Sequence, residues 1–85
     1  MKKRVILYPL ATEKAIRMIE AENVITFTVA RDATKQEIKK DVEEAYKVKV
    51  KKINTMITPA GMKRAFARLS ADTPAIDIAT QLGLI

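Results

Sequence analysis

TKQEIKKDVEEAYKVKVKKINTMIT, residues 34–58, holds a helix, a strand and the junction between them, and its apolar spacing decides the fold. In the first half Ile38, Val42, Ala45 and Tyr46 recur at i, i+4, i+7 and i+8, a single core-facing helical stripe. Thr34 and Glu37 stand three apart at its start and form a capping box, each side chain satisfying a backbone N–H that the helix leaves unpaired. Lys39–Glu43, Lys40–Glu44 and Glu43–Lys47 are opposite charges four apart, each worth about 0.2–0.5 kcal/mol. Past Tyr46 the period changes to two, the mark of a strand. The alternation then slips: Val48 and Val50 share one phase, while Ile53, Thr55 and Ile57 share the other. One extra residue reconciles the two phases. A β-bulge at Lys51–Lys52 is therefore expected, or a strand that begins near Lys51.

Working outward, VITFTVA (24–30) alternates Ile25, Phe27 and Val29 with Val24, Thr26 and Thr28, a second strand. TEKAIRMIEAEN (12–23) precedes it, with Thr12 as N-cap, Glu13 at the positive end of the helix dipole, and Ala15, Ile16 and Ile19 as a stripe. A β-prone run at Val5–Leu7 comes first and is broken by Pro9. On the other side Pro59 and Gly61 mark a turn, and KRAFARL (63–69) returns as a hairpin partner. Thr73 is expected to cap a last helix with Pro74 at its first position; Ala75, Ile78, Ala79 and Leu82 face inward, and Gly83 ends it. The order β-α-β-α-β-β-α predicts an α+β fold, a four-stranded mainly antiparallel sheet with helices packed on it. All 85 residues fit one domain.

Charge is segregated along the chain. Lys47, Lys49, Lys51, Lys52, Lys63, Arg64 and Arg68 lie in a stretch of 22 residues without a single acid, while the remainder carries nine basic and ten acidic residues. The whole net charge of +6 therefore resides in residues 47–68. Evenly scattered charge reads as solubility; a block of one sign reads as a surface for a polyanion, because neutralised phosphates release condensed counterions. A lysine-rich edge strand that discourages sheet-to-sheet aggregation accounts for Lys49 and Lys51. It accounts less well for Lys63, Arg64 and Arg68 on the neighbouring strand. Asn54 and Thr55 add neutral hydrogen-bonding groups beside the lysines. With only Tyr8, Phe27, Tyr46 and Phe66 as aromatics, and Phe27 and Tyr46 expected in the core, phosphate contact should outweigh base stacking.

Several chemistries are missing. Histidine and cysteine are absent, which removes the commonest general base and the thiol nucleophile. The two glycines, Gly61 and Gly83, are too far apart to form a phosphate-cradling loop. Six acids, Glu20, Glu22, Glu37, Asp41, Glu43 and Glu44, lie on or beside the first two helices, where pairing and capping explain most of them. No catalytic residue, metal or cofactor is expected. MKKRVILYPL has a basic head, but its apolar run is too short for a signal peptide or a membrane span. The expectation is a cytoplasmic protein.

YPLATEK (8–14), then residues 23–55, then GMKRAFARLS (61–70) resemble the large-subunit ribosomal protein family numbered twenty-three, found at the polypeptide tunnel exit. The resemblance runs from Tyr8 to Ile85 and rests on the T-E-K triplet, A-T-K-x-E-I-K opening the long helix, V-K-V with N-T behind it, and K-R-A-aromatic-x-R-L-S. Ala67 stands where the family usually has a β-branched residue. TPAGM stands where the bacterial type has a long basic loop, and three basic residues stand where eukaryotic members carry a long N-terminal extension, so a form similar to the short archaeal members is expected. The resemblance implies a four-stranded antiparallel sheet bound to large-subunit rRNA on the ribosome, among neighbouring ribosomal proteins. It also implies an outer surface that docks the signal recognition particle and the protein-conducting channel without inserting into a membrane. Thr12, Lys14, Lys35, Asn54, Thr55, Lys63 and Arg64 match family positions near rRNA, and Glu13 matches an acid of the docking surface. The competing expectations are a non-ribosomal module that docks acidic partners through the basic patch, and a small phosphate-ester or acyl-phosphate enzyme, for which no residue constellation exists.

Overall fold

Seven elements form in the expected order: β1 (Ile6–Pro9), α1 (Glu13–Glu22), β2 (Val24–Val29), α2 (Lys35–Tyr46), β3 (Val50–Ile57), β4 (Lys63–Leu69) and α3 (Ala75–Gln81). They come from a computed structural model that describes residues 5–84; the N-terminal basic residues Lys2, Lys3 and Arg4, and Ile85, lie outside the described residues. The strands make one antiparallel sheet ordered β1-β2-β4-β3. Pro9 ends β1 inside the sheet, paired with Phe27, instead of breaking the chain before it. β1 is an edge strand, where a missing N–H costs little.

Residues paired across an antiparallel sheet share a face, so the register sorts every strand side chain into one of two sets. On the inner face Ile25, Phe27 and Val29 of β2 stand beside Ala67, Ala65 and Lys63 of β4, and these beside Ile53, Thr55 and Ile57 of β3. Helix α2 covers that face with Ile38 and Val42, and Tyr46 stacks on Phe27 with ring centroids 5.5 Å apart. Ala67 is fully buried between Ile25 and Ile53. Ala45, placed in the stripe by its spacing, is exposed: the α2 face narrows to Ile38, Val42 and Tyr46.

Ala75, Ile78 and Ala79 bring α3 into the same core, together with Ile19 of α1. The cap of α3 differs from the expectation. Pro74 is the N-cap and carries no side-chain bond; Asn23 supplies the cap from 52 residues away, its Oδ1 accepting from the Ala75 N–H at 2.6 Å. Its amide Nδ2 donates to the carbonyls of Leu69, Ser70 and Thr73. Asn23 occupies the left-handed region at φ 58° as the C-cap of α1, a conformation that asparagine tolerates better than most residues. One side chain thus ties the end of α1, the end of β4 and the start of α3 together.

The capping box forms as read, Thr34 Oγ1 accepting from the Glu37 N–H and Glu37 accepting from the Thr34 N–H. Thr12 caps α1 by accepting from the Ala15 N–H. Glu43, expected to pair with lysines on its own helix, instead receives the Val50 N–H and so fastens α2 to the start of β3. The hairpin closes through Thr58, which exchanges backbone bonds with Met62 and Gly61, and Gly61 takes the positive φ of 84° that the turn requires. No helix among the described residues is long and apolar enough to cross a membrane.

Candidate nucleic-acid interface

The phase slip falls where the sequence placed it. Val50 pairs with Leu69 and the next pairing is Lys52 with Arg68, so Lys51 is the extra residue of a bulge. Val50 and Ile53 both reach the core as a result, and Lys51 and Lys52 are both exposed. The outer face then reads as a grid. Tyr8, Thr28, Arg64 and Met56 make one row across the four strands, Thr26, Phe66 and Asn54 the next, and Val24, Arg68 and Lys52 the third.

Helix α1 covers only part of this face. Ala15 and Met18 line a cleft together with Thr26 and Phe66, and the β2 residues Val24, Thr26 and Thr28 are buried. The β4 and β3 columns, Arg64, Phe66 and Arg68 beside Met56, Asn54 and Lys52, stay half-buried or exposed. Lys51 joins Arg68 in a cleft at one end of the face, with Glu20 and Glu22 across it. Arg68 pairs with Glu22 at 3.7 Å, with about half of each side chain exposed, a contact weak enough to exchange for a phosphate. Lys14 and Thr12 lie on the α1 rim of the same face, in a cleft with Arg64, Phe66 and Met56. Among the sequence-nominated residues, this surface gathers Thr12, Lys14, Lys51, Lys52, Asn54, Arg64 and Arg68.

The other candidates lie elsewhere. Lys63 is on the inner face, opposite Val29 and Ile57, and its Nζ donates to the Ala33 carbonyl at 2.7 Å, just before α2. Thr55 is also on the inner face, opposite Ala65, so Asn54 and Thr55 point to opposite sides of β3. Lys35 is exposed at the first turn of α2, the helix on the inner face. Lys47 is the left-handed C-cap of α2. Lys49 precedes β3 beside Asp72, whose carboxyl is held below its ordinary value by the Ser70 hydroxyl, then by a backbone N–H, with the Lys49 charge adding to it. Glu13 is exposed on the outside of α1 and pairs with Arg17 at 3.4 Å, along a groove with Ile16 and Glu20. The patch that looked continuous in the sequence is split by the sheet.

Two members of the face were not nominated from the sequence. Phe66 lies between Arg64 and Arg68 on β4, and Met56, 45% exposed, stands across from Arg64. The signal was available in KRAFARL: with period two, Arg64, Phe66 and Arg68 share one face and Ala65, Ala67 and Leu69 the other.

Fold and surface define a small α+β domain that presents one half-open, basic sheet face. The family model described as Ribosomal protein L23 matches residues 4–79. The "Large ribosomal subunit protein uL23" of Pyrobaculum aerophilum is 46% identical over 85 residues, spanning 100% of both chains. The protein of the same name in Trypanosoma brucei brucei is 49% identical over 82 residues, 96% of this chain and 50% of that one. The "Large ribosomal subunit protein uL23A" of Caenorhabditis elegans is 45% identical over 82 residues, 96% of this chain and 56% of its own. This chain therefore spans about half the length of the trypanosome and nematode relatives and the full length of the Pyrobaculum one. The chain belongs to the ribosomal protein L23 family. Membership of a structural ribosomal family agrees with the reading of the sequence as non-enzymatic.

Proposed function

We propose that this chain is a structural constituent of the large ribosomal subunit, fixed to large-subunit rRNA through the open half of its outer sheet face. The observation that carries the proposal is that Lys51 and Lys52 of β3 and Arg64 and Arg68 of β4 converge on that face although the rest of β3 and the hairpin turn separate the two pairs in sequence. Lysine and arginine contacts of this kind position a protein on the phosphate backbone without reading sequence, and Asn54 adds a neutral hydrogen-bonding group between them. Lys35 and Lys63 flank the entrance of α2 on the other side, apart from that face, with Lys63 held on the Ala33 carbonyl. The exposed outer surface of α1 around Glu13 stays free of the basic face. It is the part of the chain that would dock factors meeting the emerging polypeptide at the tunnel exit, the signal recognition particle and the protein-conducting channel among them.

Sucrose-gradient sedimentation of tagged protein tests the assignment directly: the protein should co-migrate with the large subunit, and its absence there overturns it. Filter binding to large-subunit rRNA fragments tests the mechanism. With four phosphate contacts, log affinity should fall with log salt at a slope of about −3.6. A flat response would remove the electrostatic basis.

A further inference from the structure

We propose that the cleft between α1 and the open half of the sheet seats one unpaired base of the bound RNA, stacked on Phe66. This rests on the outer face being the rRNA-binding surface and says which form of RNA that face takes. The cleft is lined by Thr12, Lys14, Met18, Thr26, Arg64 and Phe66, and its volume is about 100 Å³. A closed cavity of about 150 Å³ holds a whole benzene ring, so an open cleft of this size takes the edge of a planar base while the rest of the base stays outside it.

The surroundings fit a nucleotide better than an apolar ligand. Phe66 is half-buried, so its ring is fixed yet reachable. Arg64 and Arg68 flank it at i ± 2 on the same strand, each about 7 Å along the chain. A base on Phe66 carries a phosphate on either side, so the two guanidinium groups stand where those phosphates run. Asn54 is directly across from Phe66 on β3 and exposed, an amide at the level of the ring that both donates and accepts. Met18 and Met56 border the cleft with flexible thioether side chains that adapt to an inserted ring. Beneath them Thr26 is 2% exposed, and its Oγ1 finds no hydrogen-bond partner among the described residues. Buried hydroxyls are ordinarily bonded, so an unpartnered one in the floor of this cleft points to a polar ligand above it. Paired RNA keeps its bases stacked and offers no ring to the cleft, whereas loops and bulges present theirs. An acidic peptide would use the arginines but leave Phe66 and the Thr26 floor unexplained.

The test uses two synthetic hairpin RNAs of equal length, one with a single bulged 2-aminopurine and one fully paired. Wild-type protein should bind the bulged hairpin on the order of tenfold more tightly, the size expected for one base–aromatic stack. It should also quench the 2-aminopurine fluorescence, a readout that needs no variant. Phe66→Leu should abolish both the preference and the quench while keeping the salt slope of the paired hairpin. Asn54→Ala, at an exposed site that leaves the fold alone, should reduce the preference severalfold. Equal affinity of wild type for the two hairpins, with a steep salt slope, overturns the base seat and leaves the rRNA-binding reading standing. Failure to bind either hairpin overturns both. Displacement of the bulged hairpin by a polyglutamate peptide at equal concentration overturns the base seat in favour of an acidic protein partner.

Discussion

Lys63 and Arg64 are adjacent in sequence and lie on opposite faces of the sheet, which makes them an internal control for the electrostatic mechanism. Replacing Arg64 with Gln removes one guanidinium from the outer face and should take about 0.9 from the salt slope. If Lys51, Lys52, Arg64 and Arg68 each meet a phosphate, raising salt from 50 to 200 mM weakens wild-type binding about 150-fold and the variant about 40-fold. Replacing Lys63 with Met keeps the aliphatic stem but removes the 2.7 Å bond to the Ala33 carbonyl. A charged donor on a carbonyl is worth about 1.5–3 kcal/mol when buried; for this part-buried one about 1–2 kcal/mol is expected. In a domain of this size that lowers Tm by roughly 5–10 °C. The pair thus separates cleanly: Arg64→Gln changes the salt slope with little change in Tm, and Lys63→Met changes Tm with little change in slope. Filter binding across a salt series and thermal melts by circular dichroism measure both. Equal slope losses in the two variants would refute the division of the basic block between the faces. An unchanged slope for Arg64→Gln would refute phosphate contact at the outer face.

Four further outcomes follow from the structure. Asn23→Ala, which removes the α3 cap and forces alanine into the left-handed region, should cost about 3–4 kcal/mol in urea unfolding, and Asn23→Gly about 1 kcal/mol less; equal losses would show that the φ of 58° carries no strain. The Asp72 carboxyl is held low mainly by the Ser70 hydroxyl, so its stabilising effect is present above its unfolded value near 3.8 and is lost as pH falls through the lower folded value; Asp72→Asn should flatten the acid limb of a pH–stability curve below about pH 4. Burial pushes the Tyr46 hydroxyl above 10, so the stability it contributes is intact below pH 10 and lost as pH rises through the higher folded value; Tyr46→Phe should hold its Tm between about pH 9 and 11 where wild type declines. Added salt should raise the Tm of the free protein while weakening RNA binding, and a Tm that falls with salt would show that attractive pairs outweigh the repulsion on the outer face.

The parts of the fold legible in the sequence are those set within a few residues. The capping box at Thr34 and Glu37, the Thr12 cap and the phase slip at Lys51–Lys52 each depend on spacing alone, and each is where the sequence put it. What stayed hidden depends on pairing across the sheet. Nothing in KR at 63–64 says which residue faces α2 until the register with Val29 and Ile57 is known. Thr55 drew attention by standing next to Asn54, yet neighbours along a strand point to opposite faces. Asn23 read as the tail of a helix because its four partners lie 46 to 52 residues away. Glu43 had two lysines within helical reach, and the Val50 N–H took it instead because an unpaired amide at a strand start needs an acceptor more than an exposed ion pair needs closing.

The bulge links the core to the charged face. With strict alternation, Val50 and Ile53 would fall on opposite sides of β3, and one of them would leave the core that both now fill at 5% and 7% exposure. Lys51 absorbs the mismatch. The consequence on the other side of the sheet is that two consecutive lysines stand at the level of Arg68, with Lys52 directly opposite it. Like charges in that position are destabilising by a few tenths of a kcal/mol or more, and the Glu22 contact offsets this only weakly because it is half exposed. A sheet shaped for the stability of the free protein alone would have placed an acid or a neutral residue at one of those three sites. The repulsion becomes an advantage once a phosphate chain crosses the face, because each cation then gains a counter-charge that the protein itself withholds. The same extra residue therefore serves both sides of β3, completing the core on one and concentrating positive charge on the other.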